Sequence, residues 1–204
     1  MNKSKIAGIA FNVPDNVITN HDLEEMMDTT DEWIQTRSGI KERRWVKPGI
    51  ANSDLALPAC KEAIQNAGIN PDDIDAIVVG TVTSDFNFPG MAPIIQQKLG
   101  ISGHVPAYDI SAACSAFIYL LEIGDQYIKS GKYKNILLIG SDIMSTIIER
   151  TPEGRATGVL FGDGSGAVVL QASNDDSGIL STHLFADGKG VEHLGAKAPG
   201  SFFN

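Results

Sequence analysis

Short apolar runs of strand length alternate with segments of helical periodicity along most of this chain. The runs at residues 74–81 and 135–141 are almost continuously apolar, and helical patterns at 53–67 and 115–130 precede them. Strands without polar alternation need burial on both faces. The alternation therefore predicts an α/β fold, in which a mixed, mostly parallel sheet is covered by helices on both faces.

Length and charge narrow the classes of protein. A chain of 204 residues with 43% hydrophobic content can bury a sizeable core, as one large domain or two small ones. The net charge of −9 argues against binding to nucleic acid or to an anionic membrane surface, because both need a cationic face. No apolar run reaches the roughly 18 residues of a membrane span, and the start of the chain lacks the apolar segment of a secretion signal. These features predict a cytoplasmic protein.

Cys114 stands where a predicted strand at residues 105–110 gives way to the predicted helix at 115–130, in the first turn of that helix. Unpaired backbone N–H groups and the positive end of the helix dipole meet there, and both stabilise a thiolate relative to a thiol. Small neighbours such as Ala112 and Ala113 leave room for a substrate. The position predicts a nucleophilic cysteine. The alternative is a structural cysteine, because no histidine partner is visible nearby in the sequence.

The other cysteine, Cys60, lies in the middle of a helical segment among alanine, leucine and isoleucine residues. A cysteine on an apolar helix face behaves as a small hydrophobe, so we expect Cys60 to be structural. Two cysteines in an apparently cytosolic chain are also more often free thiols than a disulfide.

Positive charge is concentrated in one short stretch. Its cations are Arg37, Lys41, Arg43, Arg44 and Lys47. One interpretation is a solvated surface loop. The other is a binding site for a phosphorylated small molecule, because Trp33 lies four residues before Arg37 and offers a flat face to an adenine ring.

Glycines late in the chain fit a dinucleotide fingerprint only formally, since Gly162, Gly164 and Ala167 match G-x-G-x-x-A. A dinucleotide loop opens a helix, whereas these glycines lead into the β-rich run 167–170. We therefore predict a tight bend with a close backbone approach at the glycines. Together with the turn at 174–178 and the strand-like run after it, the segment indicates an antiparallel hairpin that closes the sheet.

Four parts of the chain carry a family resemblance. They are residues 31–44 (DEWIQTRSGIKERR), residues 109–117 (DISAACSAF), Arg155, and residues 161–167 (FGDGSGA). In this order and at this spacing they resemble β-ketoacyl-acyl-carrier-protein synthase III. The resemblance implies a thiolase-like fold, a homodimer, and an acyltransferase that starts type II fatty-acid synthesis. Such an enzyme condenses an acyl-CoA primer with malonyl-acyl-carrier protein, with loss of carbon dioxide.

The resemblance also implies roles for individual residues. Cys114 matches the nucleophile that takes the acyl group from CoA as a thioester, with acetyl-CoA as the expected primer. The residues that match CoA-binding positions are Thr29, Trp33, Arg37 and Arg155. Phe88 resembles the residue that reaches across the dimer interface to the partner's acyl pocket, and Phe161 resembles a wall near the pantetheine tunnel. No metal or cofactor is implied, because acyl-CoA is a substrate.

The sequence departs from the family's pattern in two ways. Ala116 stands where the family's nucleophile motif usually has glycine, and we expect this to be tolerated. The family's catalytic His and Asn belong to the second half of its fold, so the resemblance treats residues 1–204 as the N-terminal half of a thiolase-like condensing enzyme, without the C-terminal half. His183 and His193 do not match the catalytic histidine. We therefore expect residues 1–204 alone to be inactive.

Two other functions remain open. A thiolase-fold acyltransferase or condensing enzyme of secondary metabolism would use the same cysteine with a different acceptor. A truncated, non-catalytic paralogue would instead pair with a full-length synthase through the dimer interface. The acyl pocket distinguishes the first of these, whereas a reading frame that truly ends at Asn204 would favour the second.

Overall fold

The chain forms two β-sheets and a set of α-helices, which a computed structural model describes for residues 3–175 and 177–195. The strands are β1 (Lys3–Asn12), β2 (Val17–Thr19), β3 (Glu42–Arg44), β4 (Ala76–Gly80), β5 (Ala107–Ile110), β6 (Asn135–Ile143) and β7 (Asp163–Ser173). The α-helices are α1 (Asn20–Glu24), α2 (Asp31–Ser38), α3 (Asn52–Asn66), α4 (Met91–Leu99), α5 (Ala116–Lys129) and α6 (Arg155–Gly158). None of the described helices is both long enough and apolar enough to cross a membrane.

The larger sheet has five strands in the order β1-β7-β6-β4-β5. β4 runs parallel to both β5 and β6, whereas β7 is antiparallel to both β6 and β1. Every strand of this sheet except β7 therefore runs in the same direction. This arrangement confirms the prediction of a mixed, mostly parallel sheet. The smaller sheet is the antiparallel pair β2 and β3.

Helices cover both faces of the larger sheet, as predicted. All residues of β4 are buried. Ile77 and Val79 pack with the apolar residues of α3 and α4, whereas Val78 packs with Leu120 of α5 on the opposite face. Cys60 of α3 is fully buried in the first of these clusters, which confirms its structural role.

β7 is the antiparallel strand that the sequence indicates, but it is not half of a hairpin. It lies between β6 and β1, while residues 179–187 adopt no strand. The predicted pairing with the following run is therefore wrong. The reason is that β1, from the other end of the chain, pairs with residues 165–173 of β7, in a register that runs from Lys3–Ser173 to Asn12–Ser165. Local turn signals carry no information about such a distant partner.

Glycines let α5 lie close against the sheet. A Cβ atom added to Gly80, the last residue of β4, would lie 2.7 Å from the Cβ of Ala116, the first residue of α5. A Cβ atom on Gly124 would lie 2.7 Å from Cδ1 of Leu170 in β7. Ala116 is accommodated here because Gly80 has no side chain. The two residues therefore form a complementary pair at the start of α5.

An apolar strip on the α5 side of the sheet is left open within the described part of the chain. Ile9 and Phe11 of β1 are 63% and 75% exposed, and Ile118 of α5 is 44% exposed. Ile9 lies opposite Val168, which packs in the α5 cluster, so both side chains are on the same face. Exposed apolar side chains on the same side of a fold mark an interaction surface.

The Gly80–Ala116 contact gives a stability prediction. Gly80→Ala should lower the free energy of unfolding by about 1–3 kcal/mol, because the new methyl group overpacks the start of α5. Adding Ala116→Gly should recover most of this loss, apart from about 1 kcal/mol for glycine in a helix. Urea unfolding of both single variants and the double variant measures the coupling.

Gly140→Ala is the matched control, because its Cβ would make only an ordinary 3.7 Å contact with Phe117. We expect it to cost clearly less than Gly80→Ala. Strictly additive losses for Gly80→Ala and Ala116→Gly would show that their side chains do not compete for space.

Candidate active site

The backbone around Cys114 makes an unusual turn between β5 and α5. Ala113 has a φ of +45°, in the left-handed region that residues with a side chain rarely adopt. Ala113 to Ser115 then form a 3₁₀ turn, and α5 begins only at Ala116. The prediction that Cys114 lies in the first turn of the helix is therefore wrong, because Cys114 lies two residues before α5 begins. The left-handed residue redirects the chain before the helix starts, and the thiol is exposed.

Strained backbone of this kind is held in place by the structure around it. Here the turn is fixed on one side by β5, which is hydrogen-bonded to β4, and on the other by Ala116 against Gly80. Asp109 of β5 adds a third attachment. Its carboxylate accepts hydrogen bonds from the backbone N–H groups of Met91 (2.5 Å) and Ala92 (2.7 Å) at the start of α4. The strand before Cys114 and the start of α4 are thereby held together.

A cavity of about 450 Å³ opens at the carboxyl ends of β4, β5 and β6. The residues that line it are Thr81, Val82, Thr83, Ser84, Phe86, Asn87, Asp109, Ile110, Ser111, Thr146 and Ile147. This edge of a parallel sheet is where ligands commonly bind in open α/β folds. Ser111 brings the cavity to within three residues of Cys114 along the chain.

The two predicted acyl-pocket residues lie apart from this cavity. Phe88 is 89% exposed at the surface, while its neighbour Phe86 lines the cavity. Phe161 is partly buried, and its carbonyl oxygen accepts a 3.2 Å hydrogen bond from Nε1 of Trp45. Within this chain, Phe86 is therefore the aromatic residue that shapes the cavity. The sequence analysis missed it because the loop 83–90 contains two phenylalanines with no periodic pattern to separate them.

The first residues of the cavity wall are fixed by buried polar groups. Asp142 of β6 accepts hydrogen bonds through Oδ1 from Oγ1 of Thr81 (2.9 Å), the N–H of Val82 (2.8 Å) and Oγ1 of Thr83 (2.8 Å). Asn52, at the start of α3, donates to Oγ1 of Thr81 at 3.1 Å. These bonds hold the segment after β4 rigidly against β6 and α3.

Further along, the same wall is attached to α3 and α4. Asp85 accepts hydrogen bonds from the N–H (2.9 Å) and Oγ (2.5 Å) of Ser53. Lys98 of α4 donates to the same hydroxyl at 2.6 Å and forms an ion pair with Asp54. The loop that carries Phe86 and Phe88 is thus attached at its beginning, middle and end.

Trp33, Arg37 and Arg155 come together at a second location, although Arg155 is distant in sequence. The guanidinium carbon of Arg37 lies 4.4 Å from the centroid of the Trp33 ring, and that of Arg155 lies 5.0 Å from it. Arg155 also donates to the carbonyl oxygen of Asp28 at 2.7 Å. The adjacent hydroxyl of Thr29 is buried without a hydrogen-bond partner in the described structure. All four residues that the resemblance assigns to CoA are therefore neighbours in space or in sequence.

The cationic stretch is not a single surface patch. Arg43 is only 6% exposed, and its guanidinium donates to Oδ1 of Asn20 (2.9 Å) and to the carbonyl oxygen of Val159 (3.0 Å). Burial lowers the pKa of Arg43. Arg44 is paired with Glu42 at 3.5 Å. The interpretation of these cations as a joint phosphate site is wrong for Arg43, because the pairing of β3 with β2 places its side chain in the interior.

The two cysteines differ in their environments. Burial raises the pKa of the Cys60 thiol to about 12, so its thiolate is negligible at neutral pH. Cys114 is exposed.

We expect iodoacetamide to modify only Cys114 in the native protein between pH 7 and about pH 9, which peptide mass mapping would measure. Cys114→Ser should abolish native labelling, and Cys60 should react only after denaturation. Labelling of native Cys60 at a comparable rate would contradict this difference in burial.

Comparison with known proteins gives a consistent result. A family model described as 3-oxoacyl-[acyl-carrier-protein (ACP)] synthase III matches residues 108–188. A Bacillus anthracis β-ketoacyl-[acyl-carrier-protein] synthase III is 49% identical over 189 residues, which are 93% of this chain and 60% of that protein. A relative of the same name from Caldanaerobacter subterraneus is 48% identical over 96% of this chain and 58% of its own length.

Solved structures agree with these matches. The 3-oxoacyl-[acyl-carrier-protein] synthase III of Aquifex aeolicus superposes with a TM-score of 0.87 at 47% identity, over 91% of this chain and 59% of that one. The synthase III of Thermus thermophilus superposes with a TM-score of 0.86 at 38% identity, over 92% of this chain and 57% of that one. The chain thus has the thiolase-like fold of these enzymes and spans about 60% of the length of the curated relatives that it matches. Over that length, it resembles a fragment of a 3-oxoacyl-[acyl-carrier-protein] synthase III in both sequence and fold.

Proposed function

We propose that the protein containing this chain is the initiating condensing enzyme of type II fatty-acid synthesis. It joins an acyl-CoA primer, by default acetyl-CoA, to malonyl-acyl-carrier protein with loss of carbon dioxide. The observation that carries this proposal is the exposed Cys114, which follows a left-handed residue in the short turn between β5 and α5. A rigid turn of this kind suits a nucleophile that must meet a thioester carbon repeatedly in one orientation.

The reaction has two steps at Cys114, of which the first forms a bond to its sulfur and the second breaks that bond. The thiolate attacks the thioester carbonyl of acyl-CoA, the bond to the CoA sulfur breaks, and CoA leaves as its thiolate. Decarboxylation of the malonyl group then leaves an enolate carbon, which attacks the acyl-cysteine and releases the Cys114 thiolate. The resemblance assigns the decarboxylation step to a His and an Asn that lie outside this chain.

The cluster around Trp33 is our proposed binding site for the nucleotide end of CoA. An indole ring can stack on adenine, and Arg37 and Arg155 bring two cations to the same ring for the phosphates. The unpartnered hydroxyl of Thr29 offers a buried hydrogen-bonding group beside Asp28 and Arg155. Acyl-CoA binds here as a substrate.

We further propose a homodimer, in which Phe88 contributes to the partner's acyl pocket and Phe161 borders the pantetheine tunnel of its own subunit. Support comes from the exposure of Phe88 and from the position of β5 at the edge of the sheet, where a strand is open to pairing. A cytoplasmic location fits this chemistry, because it keeps Cys114 reduced.

The open apolar strip on the α5 side suits the remainder of the fold. We propose that Ile9, Phe11 and Ile118 are covered by the part of the synthase that residues 1–204 do not include, and that this part brings the catalytic His and Asn to Cys114. Removing such apolar side chains from water would stabilise the assembled enzyme.

The comparisons favour fatty-acid synthesis over the alternative in secondary metabolism. The curated relatives at 48–49% identity carry the synthase III name. The priming β-ketosynthase of the R1128 polyketide pathway is 31% identical with a TM-score of 0.79. The same fold therefore serves both kinds of pathway, and the higher identity supports the first.

Acyl transfer is tested by intact mass before and after incubation with acetyl-CoA. In the complete synthase we expect one acetyl group per chain, lost on treatment with hydroxylamine and absent in Cys114→Ala. Cys60→Ala is the matched control and should acquire the acetyl group normally, because Cys60 is buried on the other face of the sheet from α5. Acetylation that persists in Cys114→Ala would contradict the assignment of the nucleophile.

Condensation should need more than residues 1–204. We expect the isolated chain to give no ketoacyl product from acetyl-CoA and malonyl-acyl-carrier protein, because it lacks the groups that stabilise the enolate. The complete synthase fold should give product under the same conditions, measured by release of labelled carbon dioxide. Steady product formation by residues 1–204 alone would refute the division of roles, and no product from the complete protein would favour the non-catalytic paralogue.

A further inference from the structure

Arg43 is a buried cation at the junction of separate segments of the chain. Its guanidinium donates to three oxygens: the carbonyl of Ile18 (3.3 Å), Oδ1 of Asn20 (2.9 Å) and the carbonyl of Val159 (3.0 Å). Among the described residues, no carboxylate lies within ion-pair distance of it. Burying a charge with only neutral acceptors costs free energy. A buried arginine at this position therefore indicates a specific role.

One of these bonds leads to the helix that carries Trp33 and Arg37. Asn20, which accepts from Arg43, uses its own amide to donate to Oδ1 of Asp31 at 2.8 Å and to the carbonyl of Ile40 at 2.7 Å. Asp31 is the first residue of α2, and Ile40 follows the end of that helix. Arg43 therefore holds both ends of α2 through a single intermediary side chain.

The other bond leads to the segment that carries Arg155. Val159 is the residue directly after α6, which begins at Arg155. The approach of this segment to β3 is close, since a Cβ atom on Gly162 would lie 3.1 Å from the Cβ of Arg43. Arg43 thus links α2 and α6, which are far apart in sequence.

From this geometry we infer that Arg43 is a positioning residue for coenzyme A. It fixes α2 against α6 so that the guanidinium groups of Arg37 and Arg155 meet the same indole ring of Trp33. The inference rests on the proposed function, because it takes this cluster to be the nucleotide site. None of the hydrogen-bond partners of Arg43 belongs to the turn at Cys114, so its influence should be confined to binding.

The test compares Arg43→Met and Arg43→Lys with Arg44→Met in the intact protein. Arg44 is the matched control, because it is an adjacent arginine whose partners are Glu42 and the carbonyl of Pro14. Titration calorimetry with coenzyme A should give about fivefold to tenfold weaker binding for both Arg43 variants and unchanged binding for Arg44→Met. Lysine keeps the charge but cannot reproduce the planar set of donors of a guanidinium group, so Arg43→Lys should also bind coenzyme A more weakly.

Two readouts separate positioning from general instability. Alkylation of Cys114 should proceed at the same rate in all variants. Amide hydrogen exchange without ligand should accelerate at α2 and α6 together in the Arg43 variants, while β4 stays protected. If Arg43→Met also accelerates exchange in β4, that variant is generally unstable, and the test then rests on coenzyme A binding by Arg43→Lys.

The outcomes distinguish this inference from the proposed function. Coenzyme A binding by Arg43→Lys as tight as that of the unsubstituted protein would overturn the positioning role and leave the function standing. If the unsubstituted protein fails to bind coenzyme A, the proposed nucleotide site is wrong and the role of Arg43 in binding falls with it. Coupled exchange at α2 and α6 would then show that Arg43 links the two helices for a structural purpose.

Discussion

The close packing of α5 on β4 determines where the exposed thiol of Cys114 lies. Gly80 ends β4 without a side chain, and Ala116 begins α5 directly against it. Because β4 is buried on both faces, it cannot shift to make room, and the turn between β5 and α5 must be completed in a few residues. Ala113 absorbs this constraint by adopting a left-handed conformation, which leaves Cys114 exposed. The position of Cys114 is therefore a consequence of core packing.

Polar side chains transmit the rigidity of the core to the cavity beside this turn. Asp142 and Asp109 accept hydrogen bonds from the loop between β4 and α4 and from the start of α4, and Asp85 of that loop accepts from Ser53 of α3. A carboxylate that accepts several short hydrogen bonds holds its donors more firmly than neutral acceptors do. The loop can consequently present Phe86 to the cavity and Phe88 to the surface as fixed features.

The cluster around Trp33 depends on a different principle. It has its own small apolar core, which includes Leu23, Ile34 and Val159, apart from the two clusters that flank the larger sheet. Its cations come from segments more than a hundred residues apart, and a buried arginine links those segments. The turn at Cys114 and the cluster around Trp33 are therefore built by separate sets of contacts, so substitutions can alter one without the other.

The sequence by itself determined the α/β class, the structural role of Cys60 and the strand–cysteine–helix junction. These features follow from local periodicity and from the chemistry of adjacent residues, which any fold of the chain must satisfy. The family resemblance added the residues of the Trp33 cluster before any contact was known. Only the tertiary structure decided that β7 pairs with β1, that Arg43 points inward and that Ala113 takes a left-handed conformation. Each of these depends on a partner distant in sequence, and the free energy of such contacts is set by packing, which no local pattern encodes.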